Sequence, residues 1–151
     1  MKLFLVLLTA ILFTTNANAQ TTEDSVKATV TALFTAMKNA DAGGITNVFA
    51  DSAVLQTIMV TKEGKTIVRN EVVSGFSTSI SKLQAGDADE RIVFETVKVD
   101  ANLAIVWTPY KFYYKGSFSH CGVNSFQLVR FNGSWKIQYL IDTRRRQGCQ
   151  Q

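Results

Sequence analysis

Between residues 22 and 39 the apolar positions Val26, Val30, Leu33, Phe34 and Met37 recur every three or four residues, which places them on one stripe of a helix. Thr21 or Thr22 can cap its start, and Asp24 falls in the first turn, where a negative charge suits the unpaired amides. Asp41, Gly43 and Gly44 break the stripe, and residues 45–49 fit a short second helix. Residues 53–60 and 65–69 read as a small hairpin about Glu63 and Gly64. Asn70 is placed to cap a third helix reaching residue 83, with Val73, Phe76, Ile80 and Leu83 as its buried stripe. Residues 85–89 are polar, contain Gly86, and read as a loop.

From Arg91 onward the pattern changes to strands. Residues 92–99 and 104–115 form two, with Ala101 and Asn102 at the turn between them. Residues 123–131 and 135–143 form a hairpin about Asn132-Gly133, a strong signal for a two-residue turn. Four long antiparallel strands behind three helices predict an α+β domain. If Phe131 faces Ser134, the same register sets Cys121 opposite Arg144 and Asp142 opposite Val123. Pro109 interrupts a strand where it cannot donate to a ladder, so a bulge or bend is expected there. A bulge would shift the alternation and let Trp107 share the concave face with Tyr110, Phe112 and Tyr114. These rings then either line a pocket or fill the core, since aromatic residues at period two serve both.

The first residues point to export. Lys2 supplies a positive start, residues 3–13 are apolar apart from Thr9, and Ala17-Asn18-Ala19 has small residues at both recognition positions. This is the pattern of a signal peptide, residues 1–19, removed after Ala19. The run falls well short of the roughly 20 apolar residues a membrane span needs. The residue directly after the cleavage point is Gln20 and not cysteine, which disfavours a lipid anchor. The expected product is one domain over residues 20–151, periplasmic or secreted, with no membrane anchor after cleavage.

Charge adds little. The chain has 16 lysines and arginines against 12 acids, and the excess concentrates in Arg144, Arg145 and Arg146. Three arginines ending a strand read as a solvated edge more readily than as a nucleic-acid site, so no nucleic-acid partner is expected. Cys121 and Cys149 allow a single pairing in an oxidising compartment, and Gln147-Gly148 can bend the tail back far enough to form it. The alternatives are two free thiols, or a catalytic or metal-bound cysteine. A metal is disfavoured because His120 is the only histidine.

The order of long helix, short helix ending in Val48-Phe49-Ala50-Asp51-Ser52-Ala53-Val54, hairpin, helix and bent sheet resembles the nuclear transport factor two-like, or SnoaL-like, superfamily. Trp107-Thr108-Pro109-Tyr110, His120-Cys121-Gly122 and Gly133-Ser134-Trp135-Lys136-Ile137 look most similar to its exported bacterial members labelled lumazine-binding. The resemblance covers nearly all of the chain after the leader. It implies a cone: a strongly curved antiparallel sheet wrapped around three N-terminal helices, a cystatin-like roll. Such a cone opens at one end on an apolar pocket and is commonly paired in a homodimer. An apolar outer sheet face, with Phe131 or Tyr113 among its rings, is a suitable surface for that pairing.

Within such a pocket the chemistry-bearing residues are few. His120 can act as an acid or base near neutral pH, and Asp142 lies near it in the hairpin register. Against an Asp–His pair, Asp142 can instead pair with Arg144, and His120 falls in an expected turn over 116–122. Trp107, Tyr110, Phe112, Tyr114, Asn124 and Tyr139 are the candidate ligand-contacting residues. The family's isomerases and dehydratases use an aspartate or histidine with tyrosines, which Asp142 or His120 with Tyr110, Tyr114 or Tyr139 could imitate. Its epoxide hydrolases use an Asp-Arg-Asp set, for which only Asp142 and Arg144 have counterparts. No phosphate-loop, nucleophile-elbow or zinc motif occurs, and no cofactor is called for. Two classes follow: a binding or accessory protein for a small apolar or aromatic molecule, or a small isomerase or dehydratase.

Overall fold

The computed structural model describes residues 21–149; the expected leader lies outside the described residues. Helix α1 (Thr22–Lys38) buries Val26, Val30, Leu33, Phe34 and Met37, the stripe expected from their spacing. Its cap is Thr21, whose hydroxyl accepts from the Asp24 amide while the Asp24 carboxylate accepts from the Thr21 amide. Helix α2 (Ala42–Val48) is capped by Asp41 and includes Gly43 and Gly44, which the sequence reading took for a break. A Cβ at Gly44 would lie 2.9 Å from the Cβ of Ala36, so this glycine lets α2 pack closely on α1. Helix α3 (Val73–Ser81) is shorter than expected; its cap is Val72, which forms no side-chain hydrogen bond and is 67% exposed. Asn70, the expected cap, lies in the preceding strand.

The strands are β1 (Phe49–Val60), β2 (Thr66–Glu71), β3 (Ala88–Ile92), β4 (Thr96–Asp100), β5 (Leu103–Tyr114), β6 (Ser117–Phe131) and β7 (Ser134–Thr143). They form one curved, unclosed sheet in the order β2-β1-β7-β6-β5-β3, with β4 also paired to β5. It is mixed and not purely antiparallel, because β1 runs parallel to β7. No local sequence signal announces that pairing, which joins residues more than 80 positions apart. The single expected strand 92–99 is two: β3 and β4 are separated by Val93, Phe94 and Glu95, which bow out opposite Pro109. The irregularity caused around the proline thus falls on its neighbour, while β5 and β6 stay in register through Pro109 and Val123.

The sheet's inner face meets the helices. Leu55, Ala104, Val106, Phe126, Leu128 and Ile137 join the α1 stripe, Ile45 and Ile80 in one buried core. Phe34 and Phe126 meet edge to face at 6.2 Å. The Asn132-Gly133 turn forms as expected, with positive φ at both residues. Cys121 and Cys149 are joined in a disulfide, with Cα atoms 5.8 Å apart. Among the described residues no helix is long and apolar enough to cross a membrane.

Candidate functional site

Two one-residue bulges decide which side chains face inward. Leu128 pairs with Ile137 and Gln127 with Tyr139, so Gln138 is an extra residue in β7. Before it Trp135 and Ile137 point into the core; after it the inward set is Leu140 and Asp142. The bulge sets Asp142 opposite Asn124 and Cys121 opposite Arg145, correcting the expected partners Val123 and Arg144. In β6 the extra residue is Ser119, which leaves His120 paired with Phe112. His120 therefore lies in a strand and not in a turn.

With this register a polar row crosses the inner face: Thr57 on β1, Asp142 on β7, Asn124 on β6 and Thr108 on β5. All four are buried. Asp142 accepts from the Thr57 hydroxyl at 2.6 Å and from Arg144 Nε at 3.0 Å, and the Tyr110 hydroxyl is 3.1 Å away. That hydroxyl also lies 2.9 Å from the Thr143 carbonyl oxygen. Tyr110 reaches across because residue 122 is glycine: a Cβ there would lie 2.7 Å from the tyrosine ring and 1.8 Å from the Thr143 oxygen. Asn124 Nδ2 donates to Glu90 Oε1 at 2.8 Å, bringing a second carboxyl group to the cluster. Only the Thr108 hydroxyl in the row has no hydrogen-bond partner among the described residues.

Thr57, Asn124, Asp142, Glu90 and Arg144, with Gln56 and Glu71, form the polar lining of a cavity of about 60 Å³ between the sheet, α1 and α3. Its other walls include Leu33, Phe34, Met37, Leu55, Phe76 and Leu140. Burial pushes Glu90 up to about 7, with the Asp142 charge adding to the shift and the Asn124 hydrogen bond opposing it. Burial and the nearby Asp142 and Glu90 raise the Tyr110 phenol, which stays protonated at any ordinary pH. His120 is lowered, first by burial and then by Arg144. The site thus holds a neutral phenol, a carboxyl group that changes protonation near neutrality, and a carboxylate fixed by three donors.

The expected site residues divide between the two sides of the sheet. Tyr110, Phe112, Asn124, His120 and Asp142 occupy inner-face positions. His120 and Asp142 form no hydrogen bond; Tyr110 stands between them, its ring perpendicular to the imidazole with centroids 5.8 Å apart and its hydroxyl on the carboxylate. His120 instead lies against Phe112, with ring centroids 4.9 Å apart. Trp107 does not join the concave face, because alternation along β5 continues past Pro109; it is 44% exposed on the outer side. Tyr139 lies opposite Gln127 on that same outer side and donates to Gln56 Oε1 at 2.6 Å. Tyr114 is exposed at the end of β5, beside Lys115.

Glu90 is the functional candidate that the sequence reading missed. It lies at the edge of a stretch read as loop, yet Ala88, Glu90 and Ile92 recur at period two, which is the signal that could have found it.

No family model and no curated protein matches the chain. Solved structures do. An NTF2-like protein of unknown function from Shewanella baltica is 12% identical, with a TM-score of 0.61 over 80% of this chain and 91% of that one. A domain of unknown function with a cystatin-like fold from Nostoc punctiforme is 18% identical, with a TM-score of 0.63 over 87% of this chain and 80% of the other. An NTF2-like protein of unknown function from Silicibacter pomeroyi is 16% identical at a TM-score of 0.61, covering 80% and 93%. The chain has the NTF2-like, cystatin-like fold.

Proposed function

We propose that this is an exported protein that binds a small apolar or aromatic molecule in the inner-face cavity. The observation that carries the reading is the convergence of Thr57, Asn124, Glu90 and Asp142 on one end of a space whose other walls include six apolar side chains, with the Tyr110 hydroxyl and the unpartnered Thr108 hydroxyl just behind them. A core built only for stability would fill those positions with apolar residues, as the adjoining row of Val106, Phe126, Leu140 and Leu55 does. The cavity has room for about two waters at roughly 30 Å³ each, so a larger ligand enters by displacing a wall. Helix α3 is the movable wall, because it is short, lacks a side-chain cap and contributes Phe76 to the lining. A flat heterocycle of the lumazine type would stack on Phe76 or Phe34 and hydrogen-bond to Glu90 and Asn124.

The disulfide is consistent with export, and the apolar outer face with a homodimer in which Trp107, Ile105 and Phe131 are covered by a second copy. One observation favours a second reading, an isomerase or dehydratase: Glu90 titrates near neutrality a hydrogen bond away from Asn124 and close to the protonated Tyr110. Asp142 with Tyr110, rather than His120, would then serve the chemistry.

Native mass spectrometry of protein purified from the producing cell's periplasm tests the binding reading. A retained small molecule, lost on Asn124→Leu substitution, is the expected result. Ligand-free protein that also fails to bind neutral aromatic probes would overturn it. Turnover of the retained molecule, abolished by Asp142→Asn with binding intact, would select the enzyme.

A further inference from the structure

Beside the cavity lies a second, larger cleft of about 920 Å³, lined by Met59, Val60, Lys62, Ser119, His120, Gln147 and the three consecutive arginines Arg144, Arg145 and Arg146. Arg144 lines both spaces, so the cleft adjoins the cavity. Its lining contains four permanent cations and no carboxylate. Arg144 is paired with Asp142, but among the described residues no salt bridge reaches Lys62, Arg145 or Arg146. Repelling cations on a loose tail would spread apart. Here they are held together: the amides and carbonyls of Arg145 and Cys121 exchange two hydrogen bonds of 2.9 Å, and the Cys121–Cys149 disulfide closes the segment just beyond. Such fixed like charges cost stability and leave a place for a counter-charge that the chain does not supply.

We infer that this cleft is an anion-selecting vestibule, and that the ligand is a small amphipathic anion whose carboxylate, sulfonate or phosphate group is held by Arg145, Arg146 and Lys62. The inference rests on the cavity being the ligand site, and narrows the ligand's class. The exposed side chain of Val60, together with Met59, offers the apolar body a wall on the way to the cavity. Arginine suits the role because its planar fork can hold two anion oxygens at once. His120, kept neutral by burial and by the field of Arg144 and Arg146, can donate one further hydrogen bond without adding charge.

Two fluorescent dyes sharing one ring system test this, anilinonaphthalene sulfonate and the neutral phenylnaphthylamine. At low salt the sulfonate should bind at least about tenfold more tightly, with the advantage shrinking as salt screens the arginines. Arg145→Gln/Arg146→Gln should bring the ratio close to one while neutral-dye affinity stays unchanged, and Lys62→Gln, on a different segment, should reduce it part of the way. A ratio near one in the unmodified protein, or a ratio indifferent to all three substitutions, overturns the vestibule. Arginine-dependent anion binding without any neutral-dye binding would keep the vestibule and overturn the cavity reading. Phosphatidylglycerol vesicles that bind through the same arginines and exclude the dye would make a membrane surface the partner, and overturn the small-molecule inference.

Discussion

Tyr139 and Asp142 lie three positions apart on β7 and face opposite sides of the sheet. On the inner side, where a core calls for apolar groups, two hydrogen-bonded pairs, Thr57 with Asp142 and Asn124 with Glu90, lie side by side. On the outer side, where water calls for polar groups, Leu103, Ile105, Trp107 and Phe131 are each more than 40% exposed. Both faces depart from the simple rule of apolar inside and polar outside, in opposite directions. Buried polar groups with an adjoining cavity suit a ligand, which can take up their remaining hydrogen-bonding capacity. Exposed apolar side chains in a contiguous strand array suit a protein surface, which removes them from water. Under the function proposed above, the difference assigns the two sides of this sheet to different partners.

Substitutions on each face can break that comparison. The largest effect belongs to the inner apolar row: Phe126→Ala should cost about 3–5 kcal/mol, while Ile105→Ala on the outer side costs about 0.5 kcal/mol or less, both measured by urea denaturation at protein concentrations low enough to keep the chain monomeric. Comparable losses would mean that the outer face is also packed within one chain. Removing the clasp with Cys149→Ser should cost about 3–4 kcal/mol, from the entropy of a loop with a sequence separation of 28. An unchanged melting temperature would show that the tail is held without it.

Asp142→Asn should destabilise by about 1–3 kcal/mol, because an amide cannot accept from Thr57, Arg144 and Tyr110 as the carboxylate does. A more stable variant would show that the inner cluster is strained for function more heavily than its hydrogen bonds suggest. Glu90 adds a pH dependence of known sign. Its carboxyl group is raised to about 7 in the folded chain, against an ordinary value of 4.5. The folded state therefore binds a proton that the unfolded state has released over this window. The stability it confers is complete below about pH 4.5 and is lost as pH rises through 7. Allowing for its partial access to water, the loss should be about 1–2 kcal/mol, and Glu90→Gln should abolish it. Equal pH profiles for the two proteins would place Glu90 in contact with bulk water. The smallest effect on folding is expected from Trp107→Ser with Phe131→Ser, yet that pair should convert a dimer to a monomer in light scattering. A monomer before substitution would remove the outer-face account.

The sequence disclosed the helix stripe of α1, the Asn132-Gly133 turn and the cysteine pairing, because each depends on residues close in the chain or on a count of two. It concealed whatever depends on register. Gln138 carries no mark of a bulge, yet it alone determines that Asp142, and not its neighbours, faces the cavity. Trp107 and Tyr139 looked like pocket residues by type, and parity placed them outside. The parallel pairing of β1 with β7 brings Thr57 to Asp142 from the far end of the chain, which no local pattern could reveal.

Nuclear magnetic resonance mapping of a bound neutral aromatic probe, phenylnaphthylamine, tests the assignment of roles to the two faces most directly. The account predicts chemical-shift changes at Phe76, Tyr110, Asn124 and Leu140, with the outer-face signals of Ile105, Trp107 and Tyr139 unmoved. Changes confined to Ile105, Trp107 and Tyr139, with the inner set silent, would contradict it.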